Sequence, residues 1–118
     1  MVPAFDARGA ANAAGAIGNL VRHDDSLLEQ MLREHAAERV VRVCEHALEE
    51  AAADRATSIP AYAANALFSL GTLLVHRRVR EQLEASLGGA KSRIQGWQGS
   101  PGSSTAWDRY VERAVGRF

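Results

Sequence analysis

The chain has one cysteine, Cys44, among its 118 residues. It therefore has no internal disulfide, and an intracellular setting is expected. It has no net charge, with 14 basic residues set against 14 acidic ones. That balance removes the basic field of a dedicated nucleic-acid binder, so no nucleic-acid partner is expected. No apolar run approaches the roughly 20 residues that span a bilayer, and no membrane partner is expected. The opening MVPAFDARG lacks the basic region and apolar stretch of a secretory leader. Aromatic residues make up only 6% and β-branched runs are short, which disfavours sheet. No GxSxG, HExxH, P-loop or kinase motif occurs, so these residues carry no catalytic machinery and no cofactor is expected.

Alanine, leucine, glutamate and arginine are abundant, and this composition favours helix. One helical pattern is written twice. Residues 8–23 read RGAANAAGAIGNLVRH and residues 61–76 read AYAANALFSLGTLLVH. Displaced by 53 positions, they agree at Ala10/Ala63, Ala11/Ala64, Asn12/Asn65, Ala13/Ala66, Gly18/Gly71, Leu20/Leu73 and His23/His76. Self-similarity at a fixed spacing is the mark of a stacked repeat. The buried stripe of the first copy is expected to be Ala10, Ala13, Ala14, Ile17, Leu20 and Val21. That of the second is Ala63, Ala66, Leu67, Leu70, Leu73 and Leu74, each 53 positions further on. Gly15 and Gly18 each cost about 1 kcal/mol relative to alanine in a helix interior, so packing must stabilise that helix. With no strand before them and no GK[ST] after, they do not form a phosphate loop.

In order, the first helix should run over about residues 7–22, capped by Asp6. Asp24 or Asp25 should cap a short helix over 26–34, with Leu27, Leu28, Met31 and Leu32 inward. A turn at His35-Ala36 leads to a helix over 37–53, lined by Val40, Val41, Cys44, Ala47, Leu48 and Ala51. Residues 54–60, DRATSIP, form the main connection. Ile59 is biased away from helix by the following Pro60, which itself suits a first helical turn. After the second copy, over 61–75, the cycle restarts. A short helix over 77–85 places Val79, Leu83 and Leu87 inward, Gly88-Gly89 turn, and a helix over 90–98 carries Ile94 and Trp97. GSPGS at 99–103 reads as an exposed loop. Thr105-x-x-Asp108 resembles a capping box before an amphipathic closing helix with Trp107, Tyr110, Val111, Ala114, Val115 and Phe118 on one side. Asp108, Arg109, Glu112, Arg113 and Arg117 form its polar side.

The histidines and Cys44 do not combine into a metal site. Cys44 and His46, two apart, point about 200° away from each other round a helix. His23 and His76 sit at helix ends, where a histidine can bond terminal carbonyls. Glu45, Glu49 and Glu50, near Arg39 and Arg42, read as a solvated face with i,i+4 pairs. Arg77, Arg78 and Arg80, beside Glu81 and Glu84, read as surface or as a contact for an acidic partner or a phosphate backbone.

AANAAGAIGNLVRH and AANALFSLGTLLVH resemble the third helix of armadillo repeats. In that family third helices line a concave groove, and an asparagine near the end of each pairs with an extended peptide. Asn19 stands at that position, where the second copy has Thr72. The tryptophan that peptide-gripping members carry one turn earlier is Gly15 in one copy and Phe68 in the other. The order RGAANAAGAIGNLVRHDDSL, ALFSLGTLLVHRRVREQL, QGSPGSSTAWDRYVERAV resembles the C-terminal armadillo-like tail of Fused-family serine/threonine kinases across nearly the whole chain. The resemblance implies a targeting or scaffold role with kinesin-like or other microtubule-associated partners. The settings it implies are the motile-cilium central pair and axoneme, cytokinesis, or Hedgehog-type signalling.

The expected fold is all-α, an armadillo/HEAT-like right-handed solenoid of about two repeats plus a capping C-terminal helix. A single domain over 1–118 is expected, with a first unit over about 7–53, a connection at 54–60, and a second unit with the cap over 61–118. Because the chain opens directly on a repeat-like helix, a C-terminal piece of a longer protein is expected. The expected function is non-catalytic protein binding, with contacts at Arg8, Asn12, Asn19, Arg22, Asn65 and Thr72. The alternative is a structural segment whose ends stack on further repeats of the same or a neighbouring chain, in a larger repeat protein or an axonemal assembly.

Overall fold

Asp24 sets the start of the first helix in the computed structural model, which describes residues 16, 20, 23–53, 59–100 and 105–118. Its backbone is extended, and its carboxylate accepts the Ser26 hydroxyl at 2.7 Å and the Ser26 N–H at 2.9 Å. A side-chain oxygen thus satisfies an amide that helix geometry leaves without a partner. Those two bonds, the hydroxyl's first, hold the Asp24 carboxyl below its ordinary range. Helix α1, Asp25–Arg33, buries Met31 and Leu32 and half-buries Leu27 and Leu28.

His35, in the left-handed conformation at φ +55°, turns the chain into α2, Ala36–Ala53. All six residues expected to line α2 are buried, from Val40 to Ala51. Cys44 is one of them; desolvation, and secondarily the charge of Glu45, pushes its thiol far above the ordinary range. It is a small apolar core residue with its Sγ 3.8 Å from the Ala63 carbonyl. Pro60 stands at the cap of α3, Ala61–Leu73, and its carbonyl accepts from Ala63 and Ala64. The α3 stripe is buried in full: Ala63, Ala66, Leu67, Leu70, Leu73 and the C-cap Leu74. Each fully buried leucine contributes roughly 1.5–3 kcal/mol, and α3 has no charged residue to oppose it.

Helix α4 is Arg77–Leu87, α5 is Ala90–Gln95 and α6 is Thr105–Gly116. The α5 helix is shorter than the expected 90–98, because turns at 96–99 end it, the last at Gly99 with φ +73°. Trp97 is nevertheless buried, its ring 6.3 Å from that of Trp107, whose Nε1–H donates to the Trp97 carbonyl at 3.2 Å. Thr105 is the first residue of α6 and not its cap. The Asp108 carboxylate, expected to complete a capping box with it, accepts the Gly99 N–H at 3.0 Å and ties the 96–99 turn to α6.

Among the described residues all regular structure is helical. The helices pack as two successive triplets: α1 on α2 and α2 on α3, then α4 on α5 and α5 on α6. Across the triplets α1 and α2 meet α4, and α3 meets α6. Two triplets share one continuous core from Met31 to Ala114. The radius of gyration is 13.5 Å, matching the ~13.5 Å of a compact 118-residue domain.

The 53-residue offset reappears in the backbone. The His23 N–H donates to the Leu20 carbonyl at 3.0 Å, and the His76 N–H donates to that of Leu73 at 3.0 Å. His35 and Gly88, also 53 apart, both have φ +55°. Ala37, Val41 and Cys44 are buried, as are Ala90, Ile94 and Trp97 at the same offset. Between these points the offset slips to 52: the caps are Asp24 and His76, and Met31 corresponds to Leu83. Helix α4 has 11 residues against 9 for α1, and its C-cap Gly88 itself takes the positive φ that in the first triplet falls one residue after the C-cap Glu34, which returns the offset to 53 at the turn.

The expected helix over 7–22 lies almost entirely outside the described residues; Ala16 and Leu20 are helical and exposed. Leu20 corrects its expected burial, being 56% exposed where its counterpart Leu73 is 1% exposed. Leu73 belongs to a helix sandwiched between α2 and α6, and no such pair of described helices covers Leu20.

Candidate functional site

The side of α3 that does not enter the core carries Asn65, Phe68 and Thr72, spaced i, i+3 and i+7 on one face, and Val75 follows in the turn just past the helix. Phe68 is 50% and Val75 53% exposed, although both are large apolar side chains. Helix α6 lies alongside and presents Tyr110 and Arg113, at i and i+3, and Arg117 follows directly after its last residue. Between the two helices is an open slot of about 220 Å³, with Gly71 and Leu67 among its lining residues. The Phe68 and Tyr110 rings meet edge to face, 6.0 Å apart at 73°, and hold one wall in place.

The polar groups of α3 are mostly turned to their own backbone. The Thr72 hydroxyl donates to the Phe68 carbonyl at 3.2 Å, and that of Ser69 donates to the Asn65 carbonyl at 2.9 Å. Asn65 is exposed, and among the described residues its side chain has no hydrogen-bond partner. Arg113 and Arg117 are exposed without a carboxylate partner among the described residues.

The arginines of α4 and α5 are, by contrast, engaged. Arg78 grips the Glu29 carboxylate with both terminal nitrogens, one bond at 3.1 Å. Arg93 holds Glu45 through Nε and Nη2, the latter at 2.8 Å. Arg80 donates to the carbonyls of Leu74 and Val75 at 2.7 and 3.1 Å, closing the end of α3. Arg77 pairs with Glu81 at 3.6 Å. The cluster read from sequence as surface or as a contact for an anionic partner therefore joins one triplet to the other and caps a helix. Glu45 likewise reaches across to α5 and makes no i,i+4 pair; the i,i+4 pairs of α2 are Arg42–Glu38 and His46–Glu50. Gln82 adds a third link, donating to the Leu32 carbonyl at 2.6 Å.

Compared with family models, curated proteins and solved structures, the chain has no match. The site is therefore read from its own geometry. Of the residues expected to contact a partner, Asn65 and Thr72 share the exposed face of α3, and Thr72 lines the slot. Arg8, Asn12, Asn19 and Arg22 lie outside the described residues. Sequence reasoning set Phe68 on the groove side, at the position of the gripping tryptophan, but chose neither it nor Val75, Tyr110, Arg113 or Arg117 as a contact. Phe68 carried a usable signal: it falls outside the buried stripe of its own helix. The α6 residues carried none, because their position opposite α3 depends on packing between distant segments.

A second, smaller hollow of about 130 Å³ is lined by Leu20, Leu27, Gln30, Met31 and Glu34. No group of three or more His, Cys, Asp or Glu among the described residues is placed to hold a metal. No helix among them is long and apolar enough to cross a membrane.

Proposed function

We propose that the chain is a non-catalytic protein-interaction module of armadillo/HEAT type, and that the face shared by α3 and α6 receives the partner. The observation that carries this reading is the slot itself: two third-position helices side by side, with Phe68 and Val75 exposed on one side and Arg113 and Arg117, without a carboxylate partner among the described residues, on the other. The triplet pairing and the recurring offset support the solenoid part of the reading. Exposed apolar side chains grouped on one face and rimmed by polar groups are the usual signature of a recognition surface. The resemblance to the tail of Fused-family kinases gives the narrower version, in which the partner is a kinesin-like or other microtubule-associated protein.

The test is proximity labelling in cells with the wild-type chain and with a Phe68→Ser/Val75→Ser variant. Both positions are half exposed, so the substitutions spare the core. Protein neighbours that disappear with the variant support the face, and microtubule motors among them support the narrower version. An identical neighbour set for the two chains removes the α3–α6 face from the account.

A second reading rests on Leu20. Its exposure beside the Leu27 hollow favours a structural segment whose first end stacks on another repeat. Sedimentation equilibrium separates the readings. Self-association abolished by Leu20→Ser supports stacking, and a monomer at all concentrations argues against stacking between copies of the chain.

A further inference from the structure

Gly71 is an anomaly that packing does not explain. It lies inside α3, where glycine costs about 1 kcal/mol relative to alanine. A Cβ placed on it meets no atom within 4 Å, so no close approach of a neighbouring helix demands the glycine. What the missing side chain does is leave the slot open, since Gly71 is part of its lining. The slot holds about 220 Å³, below the roughly 300–1,000 Å³ of small-molecule sites, and suits a single inserted side chain. Leu67, Phe68, Val75 and Tyr110 give it an apolar side, and Thr72, Arg113 and Arg117 a polar one.

Charge defines what flanks that side chain. Among the described residues, the ionised ones lining the slot are Arg113 and Arg117, and α3 contributes none. Elsewhere Arg42, Arg77, Arg78 and Arg93 each have a carboxylate. Arg113 and Arg117 have none among the described residues, so an incoming carboxylate need not displace one. Arg109, one turn before Arg113, is exposed and extends the positive row. A basic segment would meet like charge here. A nucleic acid would need a wider positive field than this electrically neutral chain offers.

We propose that the slot binds an acidic segment of a partner protein, with one aromatic or large aliphatic side chain inserted over Gly71 and carboxylates set against Arg113 and Arg117. The proposal rests on reading the α3–α6 face as the interaction surface. Exposed ion pairs contribute only about 0.2–1 kcal/mol each, so the inserted side chain supplies most of the affinity and the arginines supply the choice of sequence.

The experiment selects a random peptide display library on the 118-residue chain. Selected peptides are then measured by fluorescence polarisation on Gly71→Ala, Gly71→Leu and Arg113→Glu/Arg117→Glu. A fluorescein-labelled oligothymidine serves as the nucleic-acid probe. Expected are peptides with Asp or Glu around one Phe, Trp or Leu. Gly71→Leu, which plugs the slot, and the double charge reversal should each weaken them about tenfold or more, while Gly71→Ala retains binding. Added salt should weaken binding as well. Basic or uncharged peptides that still lose affinity on Gly71→Leu would overturn the acidic occupant and leave the α3–α6 face standing. No enrichment, or peptides indifferent to Gly71→Leu, overturn both, and tighter binding of the oligothymidine overturns the peptide. If Gly71→Leu loses its helical circular dichroism, the double arginine variant, whose sites are both exposed, decides.

Discussion

His35 and Gly88 stand 53 positions apart and both have φ +55°, yet only one is a glycine. An L-residue in that conformation costs roughly 1–2 kcal/mol, which glycine avoids. Glycine's looser unfolded chain cancels roughly 0.4–1 kcal/mol of that gain. Against the exchange stands the contact of the His35 Nδ1 with the Glu38 carboxylate, 3.6 Å away with the imidazole 56% exposed. A pair that open contributes little. His35→Gly should therefore stabilise the chain by about 0.5–1 kcal/mol, read as a higher urea midpoint at unchanged slope. A β-branched residue tolerates positive φ least, so His35→Val should move the midpoint the other way. A glycine variant no more stable than wild type would mean that the Glu38 contact outweighs the backbone.

The elements are held to one another by two kinds of interaction, and only one of them can be read along the chain. Apolar stripes at helical spacing specify which face of each helix turns inward, and the six residues of the α3 stripe are all buried. The same reasoning fails for Leu20, because burial also needs a neighbour across the gap. The polar links between triplets join residues 48 to 50 positions apart: Arg93 to Glu45, Arg78 to Glu29 and Gln82 to the Leu32 carbonyl. No local rule connects such residues, so the i,i+4 rule paired Glu45 within its own helix. The slot between α3 and α6 was hidden for the same reason; Tyr110 looked like core and Arg113 like solvated surface. The contribution of one such link can be measured. Arg93 is raised above its ordinary range, first by its bond to Glu45, but its side chain is 42% exposed. Solvent screening limits an exposed pair to about 0.2–1 kcal/mol. A double-mutant cycle on Arg93→Ala and Glu45→Ala should give a coupling in that range that falls with added salt. A coupling well above it would mean that the bidentate link is a principal clamp between α2 and α5.

At the scale of the whole molecule, the question is whether two triplets unfold as one. Repeat arrays are stabilised by nearest-neighbour interfaces, and a chain this short has few of them. Each triplet alone would expose the faces that α3 shows to α6 and that α1 and α2 show to α4. The buried apolar residues run as one cluster from α1 to α6, crossing from one triplet to the other. That continuity favours a single cooperative transition, as small domains usually show. The chain carries its own reporter, because both tryptophans, Trp97 and Trp107, lie in the second triplet. Tryptophan fluorescence therefore follows the second triplet, while far-ultraviolet circular dichroism follows every helix. The two urea transitions should coincide. Val41→Ala, a cavity in the first triplet at a residue with no exposed surface, should shift the tryptophan transition as far as the helical one. If the tryptophan signal ignores Val41→Ala, the triplets are separate folding units, and α3 with its slot belongs to a part that can open while α4, α5 and α6 stay folded.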